Sequence, residues 1–305
     1  MLTKADIGSK LINNDALFNN IYVIQQKFDI IPDKDTHIGA SIAYQDMKEL
    51  RSNFLNELYD TIVDWVYDSE KYQKILEAEL RNGKSRAAAS SAVQRKAKEK
   101  FRGNGKSDKL LVQGQMGELL LFHFIQKFMK ATPLIRKMKI TTSSDLERFG
   151  ADAIHYRKDD DKNVFVLGEA KVYTSDYQFN SAFKNSLDSI LDTYDNFSQE
   201  LNLYVHEDFL SPELDEIAES YLSNTIANPY LELVCIVMYN ENKKIDFLSG
   251  ASIYSQIEKI IKERFKNFDN SKIDIENHPI LSRINYIVFP VWKLEELATE
   301  FQNKI

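Results

Sequence analysis

The chain has a single cysteine in 305 residues. One thiol excludes a disulfide framework and a cysteine-rich zinc cluster, and it suits a reducing compartment. Cys235 lies in the apolar run L-E-L-V-C-I-V-M-Y and reads as a small buried hydrophobe. No apolar run approaches the roughly 20 residues that span a bilayer. The opening M-L-T-K-A-D-I-G-S-K has no apolar signal core, so a soluble cytoplasmic protein with no membrane partner is the expectation. Internal repeats and low-complexity tracts are also missing. Net positive charge is absent too: the balance is −7, which argues against a dedicated nucleic-acid coat.

Apolar residues make up 43% of the chain, enough for a real core in one large domain or two modest ones. Charge is unevenly spread. Residues 84–109 hold nine Lys/Arg against two acids, whereas residues 186–232 hold eleven Asp/Glu and no Lys or Arg. The first block has the charge of a phosphate-binding face. The second would repel DNA or meet a basic partner, and either could equally be a solvated helical face.

Periodicity orders the rest. Met47, Leu50, Phe54, Leu58, Ile62 and Trp65 recur at helical spacing over residues 46–67. Tyr72, Ile75, Leu76 and Leu80 continue a helical region that Gly83 can close. The Ala-rich basic segment 84–100 favours an exposed helix with little apolar face. The following G-N-G-K-S lacks the full phosphate-loop pattern and a preceding strand, so an ATP site is rejected. Beyond it the pattern predicts a helix (108–131), three strands (134–142, 151–157, 164–173), helices over 178–204 and 213–223, and a strand over 231–239. A helix (252–268), a strand (284–291) and a helix (293–303) finish the chain. The expected architecture is α/β, with a mainly helical N-terminal region (1–105) that carries the basic segment, joined to a second domain over 106–305.

The third strand, F-V-L-G-E-A-K-V-Y, interrupts its apolar run with Glu169 and Lys171, which share one face because side chains two apart do so on a strand. The pattern [D/E]-x-K occurs four times, at Asp46, Asp160, Glu169 and Glu241, and only Glu169 lies inside an apolar strand pattern. An ion pair is the simplest reading. A metal-dependent nuclease site is the sharper one, because phosphodiester hydrolysis needs a divalent ion held by carboxylates, an activated water and a cation facing the developing charge. Two more acids could converge there. Glu118 lies in V-Q-G-Q-M-G-E-L-L-L on the helix before the sheet, and Asp152 lies in F-G-A-D-A-I-H at the head of the second strand. An antiparallel hairpin turning at R-K-D-D-D-K-N brings the start of one strand beside the end of the next, hence Asp152 beside Glu169. Asp152 could also simply turn the chain after Gly150, and Glu118 could be a solvated helix residue. Gln178 and Lys184, on the helix that follows, are candidates to touch the scissile phosphate.

The order α-β-β-β-α-(α)-β over residues 108–239, with Glu118 on a helix, Asp152 on a strand and E-A-K on the next, resembles the PD-(D/E)xK restriction-endonuclease-like superfamily. Ala151 stands where the name-giving proline would be. The trio Q-G-Q-M-G-E, G-A-D-A-I-H and L-G-E-A-K looks like that of the nuclease subunits of the Hachiman anti-phage defence system, most firmly over residues 114–173. The resemblance implies a restriction-endonuclease-like core with a mixed sheet, and a DNA nuclease that uses Mg²⁺ or Mn²⁺ beside a superfamily-2 helicase partner. It implies Glu118, Asp152 and Glu169, with the Ala170 carbonyl, as metal ligands, and Lys171 as the residue that orients the attacking water. Sequence-tolerant DNA contacts are expected from Arg95, Lys96, Arg102 and Lys106. A stand-alone restriction or repair nuclease and a catalytically silent interaction subunit are the alternatives.

Overall fold

The computed structural model describes residues 4–102, 109–135, 151–175, 177–205, 212–248 and 250–305. The chain opens with α1 (Lys4–Ser9), α2 (Asp15–Phe18), strands β1 (Ile21–Gln25) and β2 (Ile38–Ile42), and a small hairpin, β3 (Tyr44–Gln45) and β4 (Lys48–Glu49). Four helices follow, α3 (Arg51–Asp60), α4 (Ile62–Val66), α5 (Ser69–Arg81) and α6 (Arg86–Arg102). Next come α7 (Lys109–Phe124), continued by a π-helical turn (Ile125–Met129), then β5 (Thr132–Ile135), β6 (Ala153–Asp159), β7 (Lys162–Tyr173), α8 (Phe179–Tyr204), α9 (Pro212–Leu222) and β8 (Pro229–Asn240). The chain ends with α10 (Ile253–Lys266), β9 (Ile284–Val291) and α11 (Leu294–Lys304).

Seven strands form one mixed sheet in the order β1-β2-β9-β8-β7-β6-β5. β5, β6 and β7 run antiparallel to one another, β7, β8, β9 and β2 run parallel, and β1 closes the far edge antiparallel to β2. Helices cover both faces of this sheet, as in a restriction-endonuclease-like core. The two faces pack two cores. Val164, Val166, Val234, Ile236 and Phe289 point into one with α7. Phe165, Leu167, Leu233 and Val237 point into the other with Phe183, Leu187 and Ile190 of α8. Near-continuous apolar strands are what a sheet buried on both faces demands.

The helix–strand order from α7 to β8 is the one the periodicity predicts, and the strand predicted at 284–291 has those bounds. Three expectations need adjustment. The mainly helical N-terminal region also contributes β1 and β2 to the main sheet, so its core is continuous with that of the rest. The helix predicted from residue 46 begins at Arg51. Asp46, with φ 55°, turns the β3–β4 hairpin instead and leaves Met47 60% exposed. The basic segment is helical but has a buried face: Ala89, Val93, Ala97 and Phe101, four apart, pack toward α4 and α5. Alanines supply a flat contact surface that hydropathy alone undervalues. The strand expected at 134–142 overlaps β5 at Leu134 and Ile135, and residues 136–142 lie outside the described residues.

Two glycines set how closely α7 approaches β7. A Cβ on Gly117 would lie 2.5 Å from Val172 Cγ2, and one on Gly168 would lie 3.0 Å from the side chains of Leu121 and Ile125. Gly117→Ala adds helix propensity of about 1 kcal/mol, but the overpacking it forces against a stiff β-branched neighbour costs about 1–3 kcal/mol. We therefore expect Gly117→Ala to lower the thermal midpoint. Gly117→Ala with Val172→Ala should be more stable than the sum of the two single changes. Strictly additive midpoint shifts would contradict this close approach.

Candidate active site

Strand β7 carries the centre. Its residues Val164, Val166, Ala170 and Val172 belong to the core on the α7 side, and Phe165, Leu167 and Tyr173 to that on the α8 side. Glu169 and Lys171 continue the second series and so project toward α8. The β6–β7 ladder ends at the pair Ala153–Gly168. Asp152, one residue earlier, therefore comes opposite Glu169, as the hairpin argument expects. Its Oδ2 accepts a hydrogen bond from the Ala170 N–H at 2.8 Å. Lys171 Nζ donates to Glu169 Oε1 at 2.7 Å. Asp152, Glu169 and Lys171 thus converge on one face, at the point where β7 outruns β6 while still paired with β8 through Tyr173.

Glu169 is only 6% exposed, so its charge needs a partner close by. Lys171 is that partner. Burial pulls the lysine's pKa down, but the charge and hydrogen bond of Glu169, with the charge of Asp152, outweigh this and leave it above the ordinary lysine value. Lys171 is therefore an ammonium that donates, not a neutral base. Cys235 is registered with Glu169 on β8, in the core on the α8 side. Burial, reinforced by Glu169, raises its thiol far above the normal range. The thiol donates to the Ser186 carbonyl at 3.5 Å and behaves as the small buried hydrophobe expected.

Glu118 follows Gly117 on α7, the helix that packs against Ala170 and Val172 from the reverse face of β7, and it is half-buried. Among the described residues no three His, Cys, Asp or Glu side chains gather as a metal site. The structure thus brings together a carboxylate pair and a lysine.

The remaining candidates lie elsewhere. Gln178 immediately precedes α8, and Lys184 on its first turns pairs with Asp188 at 2.7 Å. On α6, Arg95 is exposed and 3.9 Å from Glu99. Lys96 is engaged with Glu79 of α5, whose carboxyl is held down to about 2 by hydrogen bonds from Lys84 and Lys96. Lys98 and Lys100 lie over the rings of Tyr59 and Tyr67. The helix is basic, but much of its charge fastens it to α3, α4 and α5. The side chain of Arg102 and all of Lys106 lie outside the described residues.

Besides Glu79, the buried acids Glu241 and Glu200 escape the sequence reading. Glu241, in one of the four [D/E]-x-K matches, directly follows β8. Its carboxylate is fully buried at the end of β8, where Arg264 and Tyr239 donate to it. Glu200 of α8 accepts the Ala151 N–H at 2.8 Å, next to Asp152. The signal for Glu200 was its place on the apolar stripe of α8, between Phe197 and Leu201.

The chain matches no curated protein sequence. The family model of HamA matches residues 15–305, from α2 to the end of α11, and the chain belongs to the HamA family.

Proposed function

We propose that the chain is a Mg²⁺- or Mn²⁺-dependent deoxyribonuclease that cleaves with little sequence preference in anti-phage defence, together with a superfamily-2 helicase. HamA-family membership supports a nuclease-like function at the family level, ties the chain to Hachiman defence and implies a partner protein. The observation that carries the reading is the convergence of Asp152, Glu169 and Lys171 where the β6 ladder ends.

The donor set fits a hard divalent cation. Two carboxylates face each other across adjacent strands. The Ala170 carbonyl lies on the β6 side with its N–H, beyond the last β6–β7 pair, since a strand residue turns both groups the same way. Mg²⁺ takes such oxygen donors and keeps several waters. When bound, it would supply Lewis-acid stabilisation of the phosphoryl oxygen. Asp152 and Glu169 would bind it with the Ala170 carbonyl. Lys171 Nζ, a donor already at this face, would orient the attacking water and offset negative charge growing on the phosphate. Glu118, arriving from the reverse face, would act through water near the open end of β7. The exposed acids Asp192 and Asp195 of α8, with Glu216 and Glu219 of α9, would disfavour stray DNA or meet a basic partner surface. Such repulsion is screened over ~8 Å in physiological salt, so it biases access without locking the site.

Lys171→Met, Glu169→Gln and Asp152→Asn should each lower DNA cleavage about 10²–10³-fold, with folding followed by thermal unfolding. Excess chelator should abolish cleavage in the native chain, and Mg²⁺ or Mn²⁺ should restore it. Near-native cleavage in two of the three variants, or cleavage in excess chelator, would overturn the assignment. A well-folded chain that cuts no DNA, alone or with a helicase and nucleotide, would favour a catalytically silent interaction subunit.

The placement of α6 separates its cations. Arg95→Gln should weaken binding to all DNA sequences alike and reduce the slope of log affinity against log salt by about 0.9. Lys96→Gln should mainly lower the thermal midpoint, because Lys96 is committed to Glu79. The reverse pattern would show that DNA does not lie along this helix.

A further inference from the structure

Residues 151 and 152 extend past the β6–β7 ladder, so the ladder does not hold them. Among the described residues, two hydrogen bonds help to hold them. Asp152 Oδ2 accepts from the Ala170 N–H at 2.8 Å, and Glu200 Oε2 accepts from the Ala151 N–H at 2.8 Å. Glu200 comes from α8, 49 residues along the chain from Ala151. It is 6% exposed and lies on the apolar stripe of its helix, beside Phe197 and Leu201. A leucine there would extend the stripe without withdrawing a charge from water, and an ionised carboxylate removed from solvent costs several kcal/mol unless well bonded. A carboxylate accepting a backbone N–H makes a short, charge-assisted bond, stronger than a neutral one. The bond falls on the residue immediately before Asp152.

We infer that Glu200 is a positioning residue for Asp152: it fixes the backbone at Ala151, so that the Asp152 carboxylate is held against Ala170 and opposite Glu169. The inference rests on the nuclease reading for the role of Asp152, but the linkage is a property of the folded chain itself. It also divides the acidic block by task. The outer acids of α8 face solvent, while Glu200 turns inward to hold the strand that carries the site. Outer residues that fix a metal ligand typically contribute 10–100-fold to metal affinity.

The test uses the full chain and Mn²⁺ alone. Mn²⁺ affinity is measured by calorimetry or electron paramagnetic resonance, and hydrogen exchange is measured at the Ala170 amide. Glu200→Leu should weaken Mn²⁺ binding about 10–100-fold and speed exchange at Ala170. Glu200→Asp, one methylene shorter with its charge intact, should shift both in the same direction by less, and it serves if the leucine variant does not fold. Glu200→Gln, which keeps an acceptor oxygen, should recover most of the affinity. A purely structural role would lower the thermal midpoint of these variants while leaving Mn²⁺ affinity and Ala170 exchange as in the native chain, and that result would overturn the inference. If the native chain binds no Mn²⁺, the metal-nuclease reading fails. Exchange at Ala170 then decides the linkage on its own: acceleration in Glu200→Leu or Glu200→Asp upholds it, and unchanged exchange overturns it.

Discussion

A carboxylate withdrawn from water in the middle of a sheet must have a cation beside it, and Glu169 has Lys171 two residues along the same strand. Buried ion pairs contribute little net stability against well-packed apolar residues, yet removing one partner is strongly destabilising. The pair therefore constrains everything around it. It must stay on one strand, on one face, at a point where β7 is held in register yet opens toward solvent. Pairing with β8 through Tyr173 supplies the first condition, and the end of the β6 ladder at Gly168 supplies the second.

The neighbouring elements serve this geometry from both sides. Gly117 and Gly168 let α7 lie close enough to support β7 from behind, against Ala170 and Val172. Glu200 of α8 and the Ala170 amide hold the short extension that carries Asp152 in front. At the far end of β8, Arg264 of α10 grips Glu241 and lies over the ring of Tyr177, in the segment between β7 and α8. That contact ties the chain just past the site to a helix on the same side of the sheet. Rigid elements thus position each group at the site, as pre-organised chemistry requires.

Much of this was legible because the strands of the core are strongly apolar. Inside such a strand a charged pair stands out, and hairpin geometry then places Asp152 without further information. β1 and β2 were harder. I-Y-V-I-Q and I-G-A-S-I are five residues each and join the sheet through β9, nearly 250 residues later, so no local pattern announces the pairing. The buried face of α6 was hidden because alanine contributes contact area without hydropathy. Glu118 fits the motif by type and order, and spacing along a chain does not reveal which face of the sheet its helix α7 covers. Glu200 was concealed among ten other acids in its block, where only its helical phase marked it as inward.

On the proposed reading, Asp152, Glu169 and the Ala170 carbonyl form one cation site with Lys171 at its rim. Diffraction from crystals soaked in Mn²⁺, collected at the metal's absorption edge, tests it most directly. One strong anomalous peak is expected about 2.1 Å from oxygens of both carboxylates and of Ala170, lost in Asp152→Asn. A peak elsewhere on the chain with none between Asp152 and Glu169, or one that survives Asp152→Asn unchanged, would contradict it.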